Sequence, residues 1–295
     1  MKKIVLSIFF ATVVYPAFTQ DVVVVGSATA GRKGEEMGKE YLDMATVRVY
    51  YYFTQKEKAN DKSFVRHDTM TLDIGAQMSH YYDMTRPKKD AESPLNQLDP
   101  NRIQTISVLK GNSADEFDNF LGEKHEQNYF DGTSEKIYKN RISGRLTLID
   151  NANGLYRCDD PVGLLNWEIT SDTATILDYS CQKAKIRFRG RDYEAWFAPE
   201  IPINDGPWKF FGLPGLIVKV NDAEGLVAFE CVGLQNLDTP YEIGIPQGKY
   251  IQCNRKELEK VIRERGASMR VFVNGGNVVI AGKSLSPSFK FLELE

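Results

Sequence analysis

From Ala45 onward the chain alternates apolar and polar residues with a period of two. Val47, Val49, Tyr51 and Phe53 fall on one side, and Arg48, Tyr50, Tyr52 and Thr54 on the other. That is the pattern of a strand with one buried face. Ser63 to Ile74 and Ser79 to Asp83 continue it around a Gly75-Ala76-Gln77 turn. From Glu135 the chain becomes a succession of strand-like runs. These are Glu135 to Asn140, Leu146 to Asp150, Leu155 to Cys158, Leu165 to Thr170, Thr173 to Arg189 with a break near Asp178, Tyr193 to Phe197, Gly215 to Asn221 and Leu226 to Leu234. Asn221-Asp222-Ala223-Glu224-Gly225 closes a hairpin between the last two. Arg270 to Val273 and Asn277 to Ala281 form another around Gly275-Gly276.

Helical spacing is rarer. Ser113 to Gln127 begins with a capping-box pattern, Ser113 and Glu116, and carries Phe117, Phe120 and Leu121 as its apolar stripe. Asn254 to Gly266 has Asn254 as its cap, Glu257 three residues on, Leu258, Val261 and Ile262 on one face, and Gly266 at its end. Glu35 to Met44 predicts at most a helical turn or two. Arg86 to Arg102, with Pro87, Pro94 and Pro100, reads as a loop. Many short strands and few helices predict a β-rich α+β fold. The expected form is a large curved antiparallel sheet with one or two covering helices, the Asn254 helix on the concave side. It resembles the half-barrel of periplasmic lipoprotein carriers.

One stretch is more specific than the alternation. Asp205-Gly206-Pro207 is a turn signal, followed by Trp208, Phe210 and Phe211, and then by Leu213-Pro214-Gly215-Leu216, which predicts a type II turn. A β-branched strand follows. Gly212-Leu213-Pro214-Gly215-Leu216-Ile217 resembles the namesake motif of the GLPGLI family, exported proteins of a Bacteroidetes type with no established activity. The resemblance extends through Trp167-Glu168-Ile169, Tyr179-Ser180-Cys181-Gln182-Lys183-Ala184, Phe188-Arg189-Gly190-Arg191, Ala195-Trp196-Phe197, Ile201-Pro202 and Gly206-Pro207. It is specific from about Tyr138 to Cys231. At Asp178, where such proteins are expected to carry glycine, this chain departs.

Composition narrows the compartment. Of 295 residues, 42% are hydrophobic and 26% charged, an ordinary globular balance. Met1-Lys2-Lys3, the apolar run from Ile4 to Tyr15 and the small residues Ala17 and Thr19 predict a signal peptide over 1–19, cleaved before Gln20. A loose leader over 20–44 and a single domain over 45–295, with an insertion at about 86–130, are expected to follow. No other run approaches the ~20 apolar residues of a membrane span, so none is expected after cleavage. Loss of Lys2 and Lys3 moves the net charge from −3 to −5, which argues against nucleic acid as a partner. Export permits disulfides among Cys158, Cys181, Cys231 and Cys253. Their spacing does not choose among the three pairings, and the absence of a C-x-x-C spacing argues against zinc.

No metal, cofactor or catalytic residue is assigned. The sequence lacks the H-E-x-x-H, G-x-S-x-G and Walker patterns. His67, His80 and His125 lie away from the family-like region. Glu194 with Glu200, and Asp159 with Asp160, are the carboxylate pairs considered for acid–base work and for calcium. Two features read as binding candidates. Trp196, Phe197, Trp208, Phe210 and Phe211 either fill the core or line an apolar groove. Lys183, Lys185, Arg187, Arg189 and Arg191 occupy alternate positions, so on one strand they share a face. That face is either neutralised by cross-strand acids or meets an anionic partner. The expected function is therefore non-enzymatic: an exported protein that binds or carries a small apolar ligand, a lipid or an envelope protein. A hydrolase built on acidic residues and a structural accessory of an envelope complex are the alternatives.

Overall fold

The computed structural model describes residues 38–59, 62–86, 105–109, 133–150, 155–266, 270–274, 277–281 and 292–294. The expected signal peptide, the Ser113 helix and His125 lie outside them.

The strands are β1 (Lys39–Ala59), β2 (Lys62–Ile74), β3 (Met78–Tyr82), β4 (Thr105–Leu109), β5 (Lys136–Asn140), β6 (Arg145–Asp150), β7 (Tyr156–Pro161) and β8 (Glu168–Ile176). There follow β9 (Tyr179–Phe188), β10 (Arg191–Ala198), β11 (Leu216–Asp222), β12 (Val227–Pro246), β13 (Ile251–Gln252), β14 (Arg270–Asn274) and β15 (Asn277–Ala281), with one described helix, α1 (Arg255–Gly266). Twelve strands form one open sheet in the order β13-β7-β6-β5-β3-β2-β1-β12-β11-β10-β9-β8. Every pair in it is antiparallel except β13 with β7. A separate three-stranded sheet, β14-β15-β4, pairs β4 in parallel with β15. The expected fold class, a β-rich α+β protein with a large open sheet, is the one observed.

The alternation on β1 holds: Val49, Tyr51 and Phe53 are buried and Tyr52 is exposed. Curvature comes from irregular pairing. Register shifts interrupt β1–β12 at three places, β10–β11 at Trp196/Phe197 and β8–β9 between Ile169 and Thr173. Each extra residue bends its strand and increases the local twist. Two hairpins turn on two residues each with positive φ, Leu177-Asp178 and Arg189-Gly190. Such turns match the twist of the flanking strands. Asp178 at φ 65° stands where the family resemblance leads one to expect glycine, and aspartate is among the few residues that tolerate this conformation.

One expectation is corrected. Lys39 to Met44 is strand rather than helical turn or loose leader, because it pairs with Glu242–Pro246 of β12. Leu42 and Ala45 then pack with Ile243 and Ile245. Tertiary pairing outweighs local propensity there. The helix α1 meets the sheet at β7, near one end of the strand order, and among its described side chains Leu258 reaches the main core. Its predicted cap is present. Asn254 Oδ1 accepts from the Glu257 N–H at 3.0 Å, and Glu257 Oε2 accepts from the Asn254 N–H at 2.9 Å.

Candidate functional site

Seventeen residues connect β10 to β11, from Pro199 to Gly215. The ends of this connection stay at the surface, with Pro199, Glu200, Pro202, Asn204 and Pro214 exposed, but Asp205–Phe211 turn inward and pack on one face of the sheet. Phe197, Phe210 and Phe211 are completely buried and Trp208 nearly so. Phe210 packs edge-on against Phe188, Tyr193 and Trp208 at centroid separations of 5.8, 4.8 and 5.3 Å. Trp208 and Phe229 stack at 6.4 Å. Edge-to-face pairs of this kind contribute about 0.5–1.5 kcal/mol each beyond the area they bury. The Trp167 indole N–H donates to the Phe211 carbonyl at 2.8 Å, and the Tyr51 hydroxyl to the Ile217 carbonyl at 2.7 Å. The aromatic set is therefore packed core, not the lining of a groove. Trp196 alone is partly exposed, on the other side of β10, with the Lys183 ammonium 5.0 Å over its ring.

The turn in the motif differs from expectation. Gly215 donates to the Leu213 carbonyl at 2.8 Å, closing a three-residue turn on Pro214. Its φ of 156° is not the +80° or so of a type II turn. Glycine is required instead by close approach. A Cβ there would lie 2.3 Å from the Ala198 carbonyl oxygen. Trp208 pays a backbone cost inside the same segment, with φ 51° for a bulky residue. Burial on every side holds it there.

The loop is also tied down by charges that periodicity did not reveal. Lys139, on β5, is fully buried. Its ammonium donates to Asp205 Oδ1 and the Gly206 carbonyl, both at 2.5 Å, and to the Phe210 carbonyl at 3.4 Å. Arg141 Nε lies 3.4 Å from Asp205 Oδ2. Burial pushes the Lys139 pKa down, while Asp205 opposes that shift. A second buried group joins Lys209, Glu293, Asp160, Arg189 and Arg255. Lys209 meets Glu293 at 2.7 Å, Arg189 meets Asp160 at 2.8 Å, and Arg255 meets Glu293 at 3.2 Å. A lysine inside a strand of otherwise apolar inward residues was the one available signal for the first of these.

The rail of five bases expected on one strand face, Lys183, Lys185, Arg187, Arg189 and Arg191, comes apart. Only Lys183, Lys185 and Arg187 lie on β9 with a common outward face. Arg189 is in the hairpin turn, and Arg191 opens β10 with its side chain buried. The hairpin reverses the chain after Phe188, which period-two counting cannot register. Acids meet every member. Lys183 and Lys185 lie 3.5 and 3.6 Å from Glu194, Arg187 is 3.2 Å from Asp192, and Arg191 is 2.9 Å from Asp222.

The carboxylate and histidine candidates are similarly occupied. Glu194 faces the two lysines, and Glu200 accepts from the Ser180 N–H at 3.2 Å. Asp159 takes the Thr147 hydroxyl and lies 3.6 Å from Arg157, while Asp160 belongs to the buried network. His67 stacks on Tyr52. His80 is sandwiched between Tyr82 and Tyr138, each at 4.3 Å, and burial lowers its pKa to about 3. Among the described residues, no three His, Cys, Asp or Glu side chains are grouped to hold a metal ion.

Among the described residues there is an apolar depression of about 200 Å³. It is lined by Leu177 and Tyr179 at the β8–β9 hairpin, Ile201, Leu216 and Val218, and residues 231–234 of β12. Leu177, Val232 and Leu234 are exposed around it. The register step between Tyr51↔Cys231 and Tyr50↔Gly233 leaves Val232 as the extra residue of a bulge, and this re-aims its side chain toward the mouth.

Fold and site together define a β-rich α+β protein whose open sheet encloses its own aromatic loop and keeps a small apolar mouth at the rim. A family described as "Protein of unknown function (Porph_ging)" matches residues 189–219, the hairpin, the aromatic loop and most of β11. This match is compatible with the GLPGLI resemblance, which spans the same residues. Two solved structures, "Structure of PNGF-II in P21 space group" and "Structure of PNGF-II in C2 space group", are 12% and 13% identical, with TM-scores of 0.49 and 0.48. Each alignment covers 78% of this chain, and the chain spans only 35% of theirs. No curated protein matches significantly.

Proposed function

We propose that the protein is an exported, non-enzymatic accessory of a cell-envelope complex, and that it engages an envelope protein through the apolar mouth at Leu177, Val232 and Leu234. The observation that carries this reading is the filled concavity. Residues 205–211 occupy the space in which a half-barrel carrier would hold its cargo. The depression at the mouth, about 200 Å³, is below the ~300–1,000 Å³ typical of small-molecule sites. A mouth of that size suits one or two apolar side chains of a partner. Acidic side chains weighed as hydrolytic groups are engaged in ion pairs or backbone hydrogen bonds, which favours a binding role over catalysis.

The test is quantitative co-purification of the full chain from its native envelope, compared with Leu177→Asp, Val232→Asp and the surface control Lys185→Glu. The two aspartate variants should lose the partner, while the control retains it. A lipid or small apolar ligand bound stoichiometrically in native mass spectrometry would instead identify a carrier. Export has its own readout: the mature chain should begin at Gln20 or within a few residues of it.

A further inference from the structure

The twelve-stranded sheet contains a single parallel pairing, β13 with β7, only two residues long: Ile251↔Tyr156 and Gln252↔Arg157. Its hydrogen bonds run one step further. The Ile251 N–H donates to the Leu155 carbonyl at 2.8 Å, and the Cys253 N–H to the Arg157 carbonyl at 3.1 Å. In a parallel ladder, a residue that donates to position j is paired with position j+1. By that rule Ile251 sits opposite Tyr156, as observed, and Cys253 sits opposite Cys158. Directly opposed residues of parallel strands point their side chains to the same face. Cys158 is fully buried in the main core, and Cys253 packs against that core from its margin.

We propose that Cys158 and Cys253 form a disulfide site that staples the β13–α1 segment, at the edge of the sheet, to its neighbour β7. Neighbouring strands lie ~4.8 Å apart, within the Cα separation of about 4.4–6.8 Å that a disulfide spans. Cys253 is one residue past the end of β13 and immediately before the Asn254 cap. At present its Sγ lies 3.7 Å from the Arg157 carbonyl oxygen. The other two thiols are poorly placed for each other. Cys181 is on β9 and Cys231 on β12, with β10 and β11 between them in the sheet. Of the three pairings open to four cysteines, the ladder selects one bridge and leaves two thiols.

The oxidant is a disulfide supplied from outside, either an oxidoreductase or a small-molecule disulfide. Cys253, the more accessible sulfur, attacks it as thiolate and displaces one thiol, leaving a mixed disulfide. Cys158 then attacks the Cys253 sulfur and displaces the second thiol. Two protein thiols are oxidised, one disulfide is reduced to two thiols, and the two protons pass to the leaving thiolates. Burial, and then the nearby Cys253 sulfur, push the Cys158 thiol up to about 12. The second attack is therefore slow without a catalyst or alkaline conditions. Once formed, the bridge pins a short edge strand and the first turn of α1.

The experiment uses the purified full chain, oxidised in its native state with oxidised glutathione at mildly alkaline pH, then quenched with an alkylating agent and digested without reduction. Mass spectrometry should show a Cys158–Cys253 linked peptide, with Cys181 and Cys231 alkylated. The same link should form in a Cys181→Ser/Cys231→Ser variant. Oxidation should raise the thermal midpoint, and a reductant should reverse the rise. Four alkylated cysteines after oxidation, or a bridge to Cys181 or Cys231, would overturn the assignment. Because oxidation is performed in vitro, the outcome does not depend on export or on the proposed partner.

Discussion

Replacing Lys139 by methionine would remove the ammonium that holds the aromatic loop from inside. The replacement has nearly the same length and fits an apolar site, so the effect isolates the charge. Three acceptors lose a donor: Asp205 Oδ1, the Gly206 carbonyl and the Phe210 carbonyl. Asp205 remains fully buried. It keeps the Gly206 N–H at 2.8 Å and Arg141 at 3.4 Å, neither of which replaces a direct ammonium contact. Breaking one side of a buried ion pair costs about 3–5 kcal/mol, because the partner charge is stranded. Asp205→Asn alone should also be costly, since it leaves Lys139 and Arg141 facing each other without a counter-charge. The double variant Lys139→Met/Asp205→Asn removes the Lys139 and Asp205 charges together, leaving only Arg141 without its partner, and should cost less than the sum of the singles by about 1–3 kcal/mol. Urea denaturation followed by tryptophan fluorescence measures this, because Trp208 belongs to the loop and Trp167 packs against its Phe210. A Lys139→Met cost under about 1 kcal/mol, or strictly additive singles, would refute the claim that this pair fixes the loop.

Gly215→Ala should destabilise by about 2 kcal/mol or more, since the added methyl meets backbone at Ala198 rather than a movable side chain; a thermal midpoint equal to that of the wild type would show that the strands can part there. Arg187→Gln should change stability by less than about 1 kcal/mol because its pair with Asp192 is exposed, whereas Arg191→Met strands the buried Asp222 and should cost about 3 kcal/mol; equal costs in chemical denaturation would contradict the broken rail. Glu135 and His80 make opposing contributions to stability against pH. Burial foremost, with Asp150, Glu293 and Glu259 adding and Lys209 opposing, raises Glu135 from 4.5 to about 7. The folded state thus binds the extra proton between those values, and stability falls there as pH rises, by up to about 3 kcal/mol. His80, lowered to about 3, does the reverse between about 3 and 6.5, where the unfolded chain binds the extra proton. The two oppose each other between pH 4.5 and 6.5, so Glu135→Gln should make stability rise more steeply with pH across that window than it does in the wild type; a parallel, merely displaced profile would remove Glu135 from the account.

The alternation on β1 and the later strands was enough to establish a β-rich fold with few helices, because side-chain direction in a strand depends only on parity. The Asn254 cap was equally legible, since Asn254 and Glu257 meet within one turn and need nothing from the rest of the chain. Positive φ at Asp178 was foreshadowed by the missing glycine. What parity cannot count is a reversal. Two residues, Arg189 and Gly190, divided five alternating bases between two strands and a turn, and only then did each find its acid. Lys39 to Met44 became strand only because the far half of β12 returned to pair with it. Nor does a run of aromatics state whether it lines a groove or fills one. That was decided by Lys139, 66 residues from Asp205 in sequence, which draws the loop into the sheet's concavity. Local spacing specifies the elements because their geometry repeats over a few residues. Which face is solvent, which charge is paired and which space is filled depend on contacts between distant segments, and those exist only once the chain has closed on itself.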